Sequence, residues 1–440
     1  MQSFAEQVLE LASRSAAWAE VYAVTEEQTP VSFEANRLRT IETKEVRGVA
    51  LRVVVDGQIG FASSSRLDDP RTLVEDAVAT ARFGARSLMD YPTELVPEAP
   101  LELYDDDVVA LSADEMVQMG QKMVDRVRRR GQDILCDADV RKEVVSVSVM
   151  NSSGGGGSYR LTVVSAGLHA NRVRGTDILD VYESASSCHL KTLNINTVMG
   201  AVGGKLDLAE EVVPIRTANL PVIFTPKGVA MTLLNPFQAA LNGKLVQQGA
   251  SPFAGHLGEA MFDPSFCLYD DGRVPNVPSS APCDGEGVPT QRTALIEDGR
   301  VNAFYYDLQT AGLAGTKSTG NGERSLGSMP TAAIHALRIK PGKVSYQDML
   351  ADMEEGLVVD QTMGADMGNI LAGEFSGNVH LGFRVEGGRL VGRVKDTMVS
   401  GNVFRALGQI GAIGDRAYWV GGVFEVPYLY FPALSVSTRG

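Results

Sequence analysis

Glycine and β-branched residues dominate the chain from Ser251 to its end, and only Ser345 to Glu355 carries clear helical spacing there. Such a stretch is poor helix material, because glycine loses backbone entropy and branched side chains lose χ1 freedom in a helix. It predicts an antiparallel sheet, closed into a sandwich or barrel. The first half reads differently, with helical periods between strand-like runs. The whole chain is therefore expected to be α+β. Residues 1–213 would form a mixed domain of antiparallel strands and two long helices, and 214–440 a Gly-rich β domain. The boundary falls at the linker-like Pro214 to Asn219.

The N-terminal elements follow from local signals. Phe4 to Ala16 has helical spacing, and Glu20 to Glu26 alternates as a strand. Further strands over Val31 to Glu45 turn at Asn36. Gly48 to Val55, then Asp56-Gly57, then Gln58 to Ser63 is a hairpin pattern. Pro70 to Leu88 reads as a helix capped by Asp69, and Ser112 to Gly131 as another, opened by a Ser112/Glu115 capping box. A Pro-rich loop, Tyr91 to Asp107, joins them. Strands are expected at Ile134 to Lys142, Val144 to Asn151, Tyr159 to Ala170 and Asp177 to Ser187. Leu193 to Glu211 then reads as a helix interrupted at Gly203-Gly204. Ser152 to Ser158 is Gly-rich, but no Lys-Ser/Thr and no helix follow, so it is read as a hairpin loop and not a phosphate cradle.

Charge narrows the function. The 440 residues carry 40 Lys plus Arg against 54 Asp plus Glu, a net charge of −14. Such a chain repels nucleic acid and anionic membranes, so neither is expected as a partner. The one basic run, Arg126 to Arg130, closes a predicted helix, where cations suit the dipole. Cys136, Cys188, Cys267 and Cys283 are far apart, which argues against a disulfide scaffold and for reduced thiols in the cytoplasm. The N-terminus has no basic start or solid apolar stretch of a signal peptide. Tyr418 to Leu434 is the most apolar run, but Glu425, Pro427 and Pro432 interrupt it, so it is read as a buried strand.

No helical His-Glu-x-x-His motif and no Gly-x-Ser-x-Gly elbow is present. His256 and Glu259 could share a face if Phe253 to Met261 is helical, but a metal site needs a third ligand. Cys283 has Asp284 and Glu286 beside it, and carboxylates raise a thiol pKa instead of activating it. Asp284 and Glu286 would face one side of an extended chain and could orient a peptide amine or bind a cation; a solvated acidic turn is the favoured reading. The loop Thr316 to Arg324 holds Ser318, Thr319, Gly320, Asn321 and Arg324, a set of donors suited to a peptide main chain or an anion.

Taken together and in order, Asp284-Gly-Glu-Gly-Val-Pro, Thr293-Ala-Leu-Ile-Glu-Asp-Gly, Ser318-Thr-Gly-Asn, Gly373-Glu-Phe-Ser-Gly-Asn, Met398-Val-Ser-Gly-Asn and Pro432-Ala-Leu-Ser-Val-Ser resemble the TldD/PmbA family, predicted metalloproteases also called modulators of DNA gyrase. Gly48 to Ala62 is similar to that family's early strands. The TldD branch of the family carries His-Glu-x-x-x-His on a helix and a later Cys as metal site. At the matching positions this chain has Asn235, Pro236 and Ala240, and no Cys follows Cys283. Asn is a poor zinc ligand, Pro offers no base and Ala no donor. The resemblance therefore implies the PmbA branch, also called TldE. That means no catalytic residue, metal or cofactor in this chain, and a dimer with a TldD-like subunit that brings a zinc-like metal, or with itself. It also implies an extended peptide held by Asp284, Glu286, Gly287, Ser318, Thr319, Gly320, Asn321 and Arg324. Gly285 stands where the family usually has a carboxylate. A stand-alone homodimeric peptide-binding protein, or a hydrolase centred on His256, Glu259, Asp284 and Glu286, are the competing readings.

Overall fold

The computed structural model of the chain describes residues 1–97 and 101–438; residues 98–100 of the expected Pro-rich loop lie outside the described residues. The architecture is α+β. An N-terminal sheet runs β4-β3-β1-β5-β6-β7, with β2 on the flank of β1. These strands are β1 (Trp18–Glu34), β2 (Arg37–Ile41), β3 (Lys44–Val55), β4 (Gln58–Ser64), β5 (Ile134–Asn151), β6 (Gly156–Arg174) and β7 (Asp177–Ser187). Every pairing is antiparallel. The Asp56-Gly57 turn closes the β3–β4 hairpin with both residues at positive φ, 50° and 78°, as a two-residue hairpin turn requires.

Strand alternation sorts the sheet into two faces. Val21, Ala23, Leu51 and Val53 pack against α1 (Gln2–Ala12) and α2 (Pro70–Ala81). Tyr22, Val24 and Ala50 point the other way, toward Leu326 of the C-terminal half. After α3 (Asp106–Ala110), α4 (Ala113–Arg128) and α5 (Ile195–Leu208) cover the β5–β7 end of the sheet. That core continues through Met349, Val358, Leu381 and Phe383, so the two halves share buried surface.

The C-terminal half closes a five-stranded barrel from β8 (Ala218–Phe224), β9 (Glu355–Met363), β10 (Glu374–Glu386), β11 (Thr397–Asn402) and β12 (Phe424–Thr438). β12 pairs with both β11 and β8, which removes the free edge. Shorter strands, Leu268–Asp271 and Arg292–Glu297 among them, extend the sheet. Among the described residues, no helix is long and apolar enough to cross a membrane.

Several expectations need correction. The helix begun at Pro70 stops at Ala81, not Leu88, because the chain beyond it bonds back to the β3–β4 hairpin: Ile59 N donates to Ala85 O at 2.9 Å and Ser87 N to Gly57 O at 2.8 Å. The two strands expected before Asn151 are one, β5. The Gly203-Gly204 pair does not interrupt α5; a side chain at Gly203 would strike the Arg130 guanidinium, which packs flat on the helix there. The C-terminal half holds more than the one expected helix, which is Tyr346–Ala351 with Ser345 as its cap. α6 (Asn235–Leu241), α7 (Gly243–Gln247) and α8 (Leu308–Ala314) are short, the last two opened by the Asn242 and Asp307 caps, so periodicity has little length to act on. Tyr418 to Leu434 is not one strand but the hairpin of Ala412–Val420 with β12, turned by Gly421 and Gly422 at positive φ.

Candidate functional site

The acidic turn is buried, not solvated. Asp284 and Glu286 are 4% and 0% exposed. They do not lie on an extended chain facing one way. Asp284 folds the turn around itself: Oδ1 accepts from the amides of Glu286 and Val288, each at 2.9 Å, and Oδ2 from Gly322 N at 2.7 Å. Gly287 follows at φ 73°, and a Cβ there would lie 2.8 Å from Gly156 Cα, so only glycine fits between turn and sheet.

The second predicted cluster meets the first. Gly285 N donates to Gly322 O at 2.7 Å. Asn321 pins its loop by donating to Asp270 Oδ2 at 2.6 Å and Ala333 O at 2.7 Å. Thr319 Oγ1 donates to Asn321 Oδ1 at 2.6 Å, Ser318 Oγ to Tyr306 O at 3.1 Å, and Gly320 O accepts from His335 Nε2 at 2.6 Å. All eight predicted residues thus come together at the junction of the two halves.

The centre of this junction is an ionic chain that joins the halves. Glu20 on β1 and Arg52 on β3 are cross-strand partners on the face turned toward the C-terminal half. Arg52 Nη2 donates to Glu20 Oε2 at 2.7 Å and Nη1 to Glu286 Oε1 at 2.6 Å. Arg324 Nη1 donates to Glu20 Oε1 at 2.6 Å. All four side chains are 0–1% exposed. Glu286 Oε2 accepts from Leu308 N at 2.7 Å, which ties α8 to the chain. Arg324 lies over the rings of Tyr22 and Phe61, 4.9 and 5.9 Å from their centroids, a partial return for its lost hydration. Two positive and two negative charges balance here, which is what lets charges persist in a core.

The local electrostatics follow from burial. Desolvation pushes Asp284 up to about 7 against three backbone donors, and acts to raise Glu286 as well, where the Arg52 ion pair and the Leu308 amide pull the other way and hold the carboxylate ionised. Burial acts to lower Arg52, but Glu20 and Glu286 outweigh it and hold the guanidinium firmly charged. Burial lowers Arg324. Cys283 is fully buried and its thiol is pushed up to about 12 by desolvation, then by Asp284, so it is no nucleophile as it stands.

A cleft of about 460 Å³ opens beside the turn, between Tyr91 to Pro97 on one side and Gly287 to Pro289 with Lys317 and Ser318 on the other. Gly287 and Ser318 are the predicted residues that reach it.

Sequence reasoning missed Glu20 and Arg52. A signal was present, since each is a lone charge inside an apolar strand on a face that must be buried. His256 and Glu259 do not share a helix face, because 253–261 forms turns; His256 Nδ1 and Glu259 Oε2 pair at 2.7 Å on the surface. Among the described residues, no group of three or more His, Cys, Asp or Glu is arranged to hold a metal ion.

α6 carries the positions that the resemblance sets against the family's metal-bearing helix. Asn235 Oδ1 accepts from Gln238 at 3.4 Å, while Pro236 and Ala240 are buried. Phe237 of the same helix packs among Phe253, Phe262, Phe266 and Phe404, with centroids 5.2–6.3 Å away. Glu425 accepts from Arg338 Nε at 2.5 Å.

Comparison with known proteins places this fold. Residues 217–438, half of the chain, match the family model described as the PmbA/TldA metallopeptidase C-terminal domain, and residues 19–81 match domain 1 of the same family. The chain belongs to the PmbA/TldD family of metallopeptidase-like proteins. An uncharacterized protein of Methanocaldococcus jannaschii is 24% identical over 408 residues, covering 91% of this chain and 92% of that one. A metalloprotease PmbA homolog of Haemophilus influenzae is 25% identical over 430 residues, 92% of this chain and 89% of its own. The crystal structure of TldE from Thermococcus kodakarensis superposes with a TM-score of 0.89 at 22% identity, covering 99% of this chain and 100% of that one, which is a likeness of fold. The family description implies a catalytic metal. The α6 donor set does not fit one: an amide, an imino acid and a methyl group offer no thiolate, imidazole or carboxylate.

Proposed function

We propose that this chain is a TldE-like, non-catalytic subunit of a cytoplasmic metallopeptidase, which holds unfolded peptide for a TldD-like partner that carries the metal and the general base. One observation carries the reading: Asn235, Pro236 and Ala240 occupy α6 where ligands and base would stand, and Pro236 and Ala240 are sealed in core. The junction supports a peptide-handling role, since its loops present backbone beside a cleft and glycines keep that backbone close to the sheet. The net charge of −14 argues against nucleic acid as a direct partner.

The test is hydrolysis of an unfolded protein such as reduced casein by the purified chain, by a His-Glu-x-x-x-His-bearing TldD-type chain, and by the two co-expressed. The chain alone is expected to be inactive and to hold well under one equivalent of transition metal. The pair is expected to co-purify and to be active until chelated. Chelator-sensitive hydrolysis by the chain alone, with close to one bound equivalent, would overturn the proposal.

A further inference from the structure

A second cleft lies between the halves, on the far side of α8 from the first. Its volume is about 640 Å³, within the range of small-ligand sites. One wall comes from β4 and the chain after α2, with Ile59, Phe61 and Phe83; the other from α8 and the loop beyond it, with Leu313 and Met329. Phe83 and Leu313 are 79% and 53% exposed, although large apolar side chains in a folded protein more often turn inward. The walls are fixed to each other: Gln309 on α8 accepts from Leu88 N at 3.0 Å and donates to Arg86 O at 2.8 Å.

The polar groups divide by position. α7 supplies Lys244 and Gln247, and Gln248 closes it; all three are exposed and have no side-chain partner among the described residues. Arg52 also lines the cleft. It is 1% exposed and both of its Nη groups are taken by carboxylates, but its Nε–H has no acceptor. A second anion is disfavoured there, since Glu20 and Glu286 already pair with the guanidinium and Asp307 lines the same part of the cleft. Arg52 therefore suits one neutral acceptor, and the anion belongs at Lys244. An apolar body with a single carboxylate next to amide groups describes the end of a polypeptide.

We propose that this cleft binds the C-terminal residue of a peptide. A large apolar side chain lies between Phe61, Phe83, Leu313 and Met329, the α-carboxylate meets Lys244, and the preceding amide groups meet Gln247 and Gln248. This rests on the peptide-handling reading above and names the part of the peptide that is held.

The experiment is fluorescence anisotropy on the full chain, without any partner. The probes are fluorescein-Gly-Gly-Ala-Ala-Phe with a free C-terminus and the same peptide as its C-terminal amide. The free acid is expected to bind at least tenfold more tightly. Lys244→Ala is expected to erase the difference. Leu313→Asp is expected to weaken the acid at least tenfold with an unchanged urea midpoint, which separates a binding effect from a folding one. Equal affinity for acid and amide, or an unchanged preference in Lys244→Ala, would overturn the proposal. Displacement by decanoate at lower concentration than by unlabelled peptide would overturn it as well, in favour of a fatty carboxylate. Because binding is read on the isolated chain, an inactive pair leaves this result standing, and an active pair with no binding here defeats only this proposal.

Discussion

Arg52, Arg324, Glu20 and Glu286 keep four charges inside the junction of the two halves, whereas α6 buries Pro236, Phe237, Ala240 and Leu241 and no charge at all. Both regions are dry. They differ in how dryness is tolerated. The junction retains charge because each carboxylate faces a guanidinium or an amide donor within 2.6–2.7 Å. α6 has methyl groups and rings where the family's metal-binding branch is expected to place ligands, and its surroundings have closed over them. A buried ionic chain is weak evidence for extra stability, but removal of one member leaves an uncompensated charge. An aromatic cluster stabilises directly, through area removed from water and ring–ring contact.

This contrast can be broken from either side. Arg52→Ala strands Glu286 and leaves Glu20 with Arg324 alone, and is expected to cost about 3–5 kcal/mol in urea unfolding; Arg52→Met with Glu286→Gln, which keeps the Glu20–Arg324 pair, should recover most of it. A loss under about 1 kcal/mol for the single change would mean that water already reaches the chain. Phe237→Ala, which opens a cavity among four other rings, is expected to cost about 3–5 kcal/mol with no effect on the junction. A double cycle of Phe237→Ala with Arg52→Ala should then be additive within about 0.5 kcal/mol.

Asn235→His with Ala240→His asks whether α6 can be turned back into a ligand helix. The second change overpacks a fully buried site and is expected to cost about 1–3 kcal/mol, without transition metal retained after dialysis. Bound metal near one equivalent would show that the site has lost little more than its side chains.

The smallest effect is a slope. Asp284 has its pKa raised to about 7 by burial, so the folded state holds a proton that the unfolded chain releases near the ordinary carboxylate value. The stability it contributes is complete below that value and is lost as pH rises through about 7. The slope from this one proton cannot exceed about 1.4 kcal/mol per pH unit. Asp284→Asn should flatten the decline between about pH 5 and pH 7 in denaturant titrations. A wild-type curve that rises over the same interval would contradict the assignment.

The legible parts of the fold were those with strong local codes. The Asp56-Gly57 hairpin, the Asp69 cap and the Ser112/Glu115 box all stand as read, because each is settled by bonds within a few residues. Element ends were less legible. The α2 helix stops at Ala81 because residues 85–87 bond to a strand edge, and α5 runs through two glycines, of which Gly203 leaves the space that Arg130 fills. The site was half legible. The Asp284 turn and the Ser318 to Arg324 loop were found as clusters, but the turn was expected to be solvated, and Glu20 and Arg52 were not connected to it.

The sequence by itself determined a strand-rich, glycine-rich second half and an α+β chain; composition and side-chain chemistry suffice for these. Tertiary structure decided that Asp284 and Glu286 are core residues, that the counter-charge of Glu286 comes from a strand more than 200 residues away, and that two clefts flank α8. The reason is physical. A carboxylate's meaning depends on what replaces its water, and only the folded chain brings Arg52 to Glu286.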